Sequence, residues 1–196
     1  MIFIVKFGQM FEIFINYITS QITLTPEEIE MVRKVHISRK IRKRQFLLHE
    51  GEVCKYSCFV VKGCLRSYRI SNDGNEHILR FAVENWWVND NESYNSGKPA
   101  KSNIDALEDS DVILITKENL DLLLTKIPNL QQLIDRLLAR SYDASQHRIY
   151  LNISSTAGEK YDHFIKTYPT LLARLPLRTI AAYLGVSRET LSRIRK

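Results

Sequence analysis

The apolar and polar positions of this chain change period twice. From Ile41 to Thr116 they run in short β-rich segments broken by turn residues: FLLHEGE, SCFVVKG, CLRSYRI, EHILRFA, SNIDALE and DVILIT. Asn72-Asp73-Gly74-Asn75 separates two of them and signals a hairpin, because Asp-Gly accepts the backbone conformation such turns require. Short antiparallel strands at this spacing predict a sandwich or roll. On either side the period is helical. Thr25, Pro26 and Glu28 supply an N-cap, a proline at N1 and the acid of a capping box, which predicts a short helix to about Lys34. FEIFINYI, before it, fits a helix or an extended segment.

After the strands, Ile127-Pro128 opens a long helical stretch in which Leu130, Ile134, Leu137, Ser141, Ala144, Arg148 and Leu151 recur at threes and fours. Thr156-Ala157-Gly158-Glu159 is a second capping box, and Tyr168-Pro169 ends the helix it opens. The organisation expected is an N-terminal helix and β-roll over 1–126, a long helix over 127–153 and a small helical domain over 154–196. The fold class expected is α+β.

The last segment has the most specific pattern. Leu177, Ile180, Ala181 and Leu184 make one apolar stripe, Gly185 permits a left-handed turn, and Ser187 is a good N-cap for a second helix. Leu191 and Ile194 point back at the first helix, and Ala181 is small where the two cross. Arg188, Glu189, Ser192, Arg193 and Lys196 share the opposite face, which suits a DNA major groove better than a core. The pattern is that of a helix-turn-helix; an ordinary helical hairpin would need all these features to coincide. The short stretch from Pro169 to Leu177 leaves room for only a very small wing.

Charge sharpens this reading. Formal net charge is +6, and from Pro169 to Lys196 six basic residues (Arg174, Arg178, Arg188, Arg193, Arg195, Lys196) face one acid, Glu189. A second basic run, Arg33, Lys34, Arg39, Lys40, Arg42, Lys43 and Arg44, reads as a solvated edge rather than another DNA contact. The 44% apolar content over 196 residues is enough for a core. Cys54, Cys58 and Cys64 form no CxxC pair, and three thiolates fall short of the four an iron–sulfur cluster normally takes; they read as small buried side chains in a reducing cytoplasm. The opening MIFIVKF lacks a basic n-region and a cleavage site, and no run of eighteen apolar residues occurs, so neither a signal peptide nor a membrane span is expected.

GVSRETLSRIRK, with LPLRTIAAYL before it, resembles the helix-turn-helix of the Crp/Fnr transcription regulators, and the Ser-Arg-Glu-Thr followed by Arg193 is the specific part. The resemblance implies a cyclic-nucleotide-binding-like β-roll (a double-stranded β-helix), a long dimerisation helix and a C-terminal (winged) helix-turn-helix domain. It implies that Arg188, Glu189 and Arg193 read base edges while Ser187 and Thr190 touch phosphates, with Ser192 and Lys196 on the same face. Arginine suits bidentate bonding to guanine, and glutamate accepts from cytosine. A reader of this kind needs two copies to span successive major grooves, so the stripe Leu130, Ile134, Leu137, Ser141, Ala144 and Arg148 is expected to be the homodimer seam. The implied partners are double-stranded DNA, a second copy, RNA polymerase and a small effector, in the cytoplasm.

The effector site departs from the family. Relatives that bind cyclic AMP use a Gly-Glu-Leu segment and an Arg-Ser about ten residues on; here the matching positions read Asn89, Asp90, Asn91 and Pro99-Ala100-Lys101-Ser102. Asp90 can imitate the glutamate, but the arginine is missing and Lys101 offers only a point charge. The pocket motif therefore does not support cyclic AMP, and Asn89, Asp90, Lys101 and Ser102 mark the candidate pocket for cyclic AMP or another small effector. Trp86 and Trp87 read as core and rim, while Arg66 and Arg80 could face inward to an anion, outward exposure being the plainer reading. Two alternatives compete: a cupin-like metal-dependent enzyme, disfavoured because His36, His49, His77, His147 and His163 are scattered, and a cyclic-nucleotide-type sensor without DNA binding, disfavoured by the basic last helix. No catalytic residue, resident metal or enzyme activity is expected.

Overall fold

The computed structural model describes residues 2–195, with side chains from Gly8 onward; Lys196 and the side chains of 2–7 lie outside the described residues. The chain divides into two compact units, Met1–Arg69 with Arg80–Asp135, and Ile70–Leu79 with Arg136–Lys196.

The first unit opens with helix α1 (Ile2–Gln21). Its ambiguous sequence resolves as helix because Phe11, Phe14, Ile15 and Ile18, at i, i+3, i+4 and i+7, are buried together with Met10. Phe14 meets Phe59 and Trp87 at ring-centroid distances of 5.0 and 5.8 Å. Trp86 is 39% exposed, so the two tryptophans stand at the core and its rim. Helix α2 (Pro26–Val35) carries the expected capping box: the Glu28 N–H donates to Thr25 Oγ1 at 3.2 Å and the Thr25 N–H to Glu28 Oε2 at 2.8 Å.

Eight strands follow among the described residues: β1 (Ile37–Ile41), β2 (Phe46–Leu48), β3 (Tyr56–Lys62), β4 (Leu65–Ile70), β5 (Glu76–Ala82), β6 (Trp87–Val88), β7 (Asn103–Ala106) and β8 (Ser110–Thr116). They form two four-stranded sheets, ordered β1-β8-β3-β6 and β2-β7-β4-β5. In the first, buried Cys58 and Phe59 stand opposite buried Leu114 and Ile113. Gly63, at φ 107° between β3 and β4, lies so close to β8 that an added Cβ would come within 2.8 Å of Ser110 Cα.

Helix α3 (Asn91–Ser96) and helix α4 (Lys117–Lys126) complete the unit, with Asp90 and Thr116 as N-caps. Neither helix was expected from the periodic pattern, being short and interrupted by polar residues. Arg66 and Arg80 correct the outward reading. Arg66, its side chain 13% exposed, makes a bidentate pair with Asp105, its partner in the β4–β7 register, at 2.8 and 3.0 Å. Arg80 is half-buried and donates to the Asn89 carbonyl oxygen at 2.8 Å.

Helix α5 (Pro128–Ser154) begins in the first unit, where Leu130 and Leu133 are buried, and continues into the second. There it is followed by α6 (Ala157–Thr167), α7 (Leu171–Arg174), α8 (Leu177–Leu184) and α9 (Arg188–Ile194). The second capping box is present at Thr156 and Glu159. No strand occurs among the described residues after Thr116. Where a small wing had room, the Leu175 N–H bonds the Leu171 carbonyl at 2.9 Å, so the backbone is satisfied by a helical turn without a partner strand.

Candidate nucleic-acid interface

Helices α8 and α9 pack on each other and on α6. Ile180, Ala181 and Leu184 of α8, Leu191 of α9, and Phe164 of α6 are all buried, Ile180, Leu191 and Phe164 completely. Gly185 ends α8 in the left-handed region at φ 68°, and the Val186 N–H reaches back to the Ala181 carbonyl at 3.1 Å, closing the helix. Ser187 then caps α9, its Oγ accepting from the Thr190 N–H at 3.1 Å while its hydroxyl meets Thr190 Oγ1 at 3.1 Å.

With Leu191 turned inward, the helical period leaves Arg188, Glu189, Ser192 and Arg193 exposed, and Ser187 exposed beside half-buried Thr190. Lys196, expected on this face, is outside the described residues. Hydrogen bonding from its own backbone N–H and from Ser187, with Arg188 and Arg193 nearby, holds the Glu189 carboxyl below its usual range. The face thus combines two guanidinium forks and one ionised acceptor. This set can bond base edges, and a lone carboxylate among arginines is a poor phosphate anchor.

Helix α5 turns a different face outward from the one its sequence stripe suggested. Leu130 is buried, Ile134 is half-buried in an apolar cleft lined also by Phe14, Ile18 and Val32, and Leu137 and Ser141 are half-buried. Arg148 is not free for a partner either: its Nη2 donates to the carbonyl oxygens of Ile78 at 2.8 Å and Tyr183 at 3.1 Å. Of the expected seam only Ala144 is exposed. The large apolar side chains left uncovered are Leu138, Tyr142, Ile149, Tyr150 and Ile153, from 51 to 82% exposed. The difference in exposure between the two stripes has a geometric cause. Leu138, Tyr142, Ile149 and Ile153 follow spacings of four, seven and four, a stripe neighbouring the predicted one, and only packing reveals which stripe the chain itself covers.

The candidate effector residues all carry bonds within the chain. Asp90 caps α3 by accepting from the Ser93 N–H at 3.1 Å, and its second oxygen accepts from the Ser102 hydroxyl at 2.8 Å. Burial pushes its pKa up, but the bonds from Ser93, Ser102 and the Lys101 backbone outweigh that and hold it below the usual carboxylate range. Lys101 is exposed and bonds both oxygens of Glu92 at 2.7 Å. Asn89 offers its carbonyl to Arg80. These residues build a self-satisfied loop around α3, and the cap role of Asp90 was signalled by the residue type preceding a helix that ends in Gly97.

Other chemistry is dispersed. Among the described residues no three of His, Cys, Asp and Glu gather as metal ligands. His49 stacks on Phe46 at 3.9 Å, His77 bonds Ser71, and His147 lies against His163 at 4.8 Å. The three cysteines are free and buried, and burial pushes the Cys58 and Cys54 thiols up, away from thiolate chemistry. Among the described residues no helix is long and apolar enough to cross a membrane.

The family model "cyclic nucleotide-binding domain" matches residues 38–126. Over 185 residues the chain is 31% identical to the fumarate and nitrate reduction regulatory proteins of Yersinia pestis and Escherichia coli, covering 88% of this chain and 73% of theirs. Among solved structures it resembles FixK2 from Bradyrhizobium japonicum, with a TM-score of 0.72 at 24% identity over 82% of this chain and 83% of that one. It also resembles a CooA mutant from Carboxydothermus hydrogenoformans, with a TM-score of 0.70 at 15% identity over 91% of this chain and 80% of that one. The two structural likenesses speak to the fold.

Proposed function

The chain belongs to the Crp/Fnr family of DNA-binding transcription regulators, not enzymes, and from that premise we propose that it reads operator sequence as a homodimer through the outer face of α9. Arg188, Glu189 and Arg193 contact base edges, Ser187 and Thr190 meet phosphate, and Ser192 and Lys196 border the contact. The observation that carries this reading is the simultaneous exposure of Arg188, Glu189 and Arg193 on a helix pinned from behind by buried Leu191.

Residues 1–126 act as the sensing part, 127–153 as the dimer helix and 154–196 as the reader. Two chains pair through Leu138, Tyr142, Ile149 and Ile153 of α5, the apolar stripe left open. Twofold pairing offers two α9 helices to major grooves one turn apart. The internal bonds of Asp90 to Ser102 and of Lys101 to Glu92 weigh against cyclic AMP as the effector of the roll. RNA polymerase is the further partner, in the cytoplasm. Selection from random duplexes tests the reading: the expected consensus is a palindrome with half-sites about 34 Å apart. Binding without sequence preference would overturn it.

A further inference from the structure

We propose that Arg148 is a positioning residue for DNA reading, holding the reading helices on α5 only while the β4–β5 hairpin supplies one of its acceptors. The inference rests on the reading of α9 given above. Three segments of the second unit converge on this one guanidinium: the hairpin segment Ile70–Leu79, helix α5, and the C-terminal turn of α8.

Each contact answers a physical need. The Tyr183 carbonyl belongs to the last turn of α8, where helix carbonyls lack intrahelical partners, and a cation there also opposes the negative end of the helix. Arg148 therefore caps α8 at the turn that leads through Gly185 into α9. Its guanidinium lies 4.0 Å from the Tyr183 ring centroid, and that ring meets Phe164 and Tyr168 at 5.6 and 5.8 Å, which ties the cap to α6. The Ile78 carbonyl lies on β5, an edge strand of its sheet. The two N–H groups of Nη2 serve the two carbonyls while the planar guanidinium lies over the ring; an ammonium has donors enough but no planar face to lay on Tyr183.

The consequence is directional. The Ile78 carbonyl is fixed on β5, so a displacement of that strand moves it. Loss of that acceptor leaves one N–H of a half-buried guanidinium without its protein partner and loosens the hold on Tyr183. Sequence-specific affinity, which needs α9 placed accurately, then falls, while non-specific attraction to phosphate does not.

The test compares wild type, Arg148→Met and Arg148→Lys on a duplex selected by the wild-type protein and on a shuffled duplex, with amide exchange followed across 70–79 and 181–186. Arg148→Met is expected to weaken the selected duplex about tenfold and the shuffled one less than about twofold. Protection should fall in both segments, and Arg148→Lys should restore only part of the loss. If Arg148→Met does not melt cooperatively, Arg148→Lys carries the same comparison. Equal losses on both duplexes, or unchanged protection in 70–79, would overturn the proposal. Arg193→Ala, measured alongside, separates the two claims: if it leaves affinity unchanged while exchange responds to Arg148, it is the reading face that fails.

Discussion

Ser102 donates its hydroxyl to Oδ2 of Asp90 across 2.8 Å, and the pair is buried. The carboxylate that best matches the ribose-binding glutamate of the family's cyclic AMP binders is thereby committed to an internal bond and to the cap of α3. A ribose hydroxyl would have to displace Ser102, and its phosphate would find Lys101 already paired with Glu92. Cyclic AMP at millimolar concentration is expected to leave both the melting temperature and the affinity for the selected duplex unchanged; calorimetry and a binding titration check this.

The same carboxylate gives a pH signature. Its folded pKa lies below the ordinary value, so its ionised form contributes stability above about pH 4, and that contribution is lost as pH falls through the folded pKa. Asp90→Asn keeps a capping oxygen but removes the charge. Wild type should exceed it by about 1 kcal/mol at pH 7, with the gap closing in acid. Chemical denaturation of both proteins between pH 3 and pH 7 measures the difference.

Pairing through α5 is tested on the stripe the chain leaves open. Tyr142→Glu and Ile149→Glu put charge into an apolar seam without weakening the helix, and each should convert a micromolar dimer to monomer in sedimentation. Ser141→Glu, on the half-buried neighbouring stripe, should not act as a specific dimer breaker.

The reader depends on its local caps. Ser187→Ala removes the acceptor of the Thr190 N–H and should cost about 1 kcal/mol, seen as a lower melting temperature and faster amide exchange at Thr190.

These contrasts show what was legible in the sequence. The helix-turn-helix was, because its apolar period, the glycine turn and the serine cap are local signals that tertiary structure had no reason to override. The capping boxes at Thr25 and Thr156 were legible for the same reason. The open face of α5 was not. Adjacent stripes carry similar apolar content, and only the burial of Leu130 and the bonds of Arg148 tell which one faces inward. Arg66 was misread because the acid that neutralises it, Asp105, lies 39 residues away and becomes its neighbour only through the β4–β7 register. The effector loop was half legible: its departures from the family pattern showed in the residues, but their mutual bonding did not.

The central claim is that the exposed face of α9 reads bases. The most direct measurement is the affinity of wild type and Arg193→Ala for a panel in which each base pair of the selected palindrome is varied singly. The account predicts a loss of about 1 to 3 kcal/mol for Arg193→Ala, with base preference relaxed at symmetry-related positions in the two half-sites and retained elsewhere. A loss spread uniformly over every duplex would make Arg193 a phosphate contact and contradict the account.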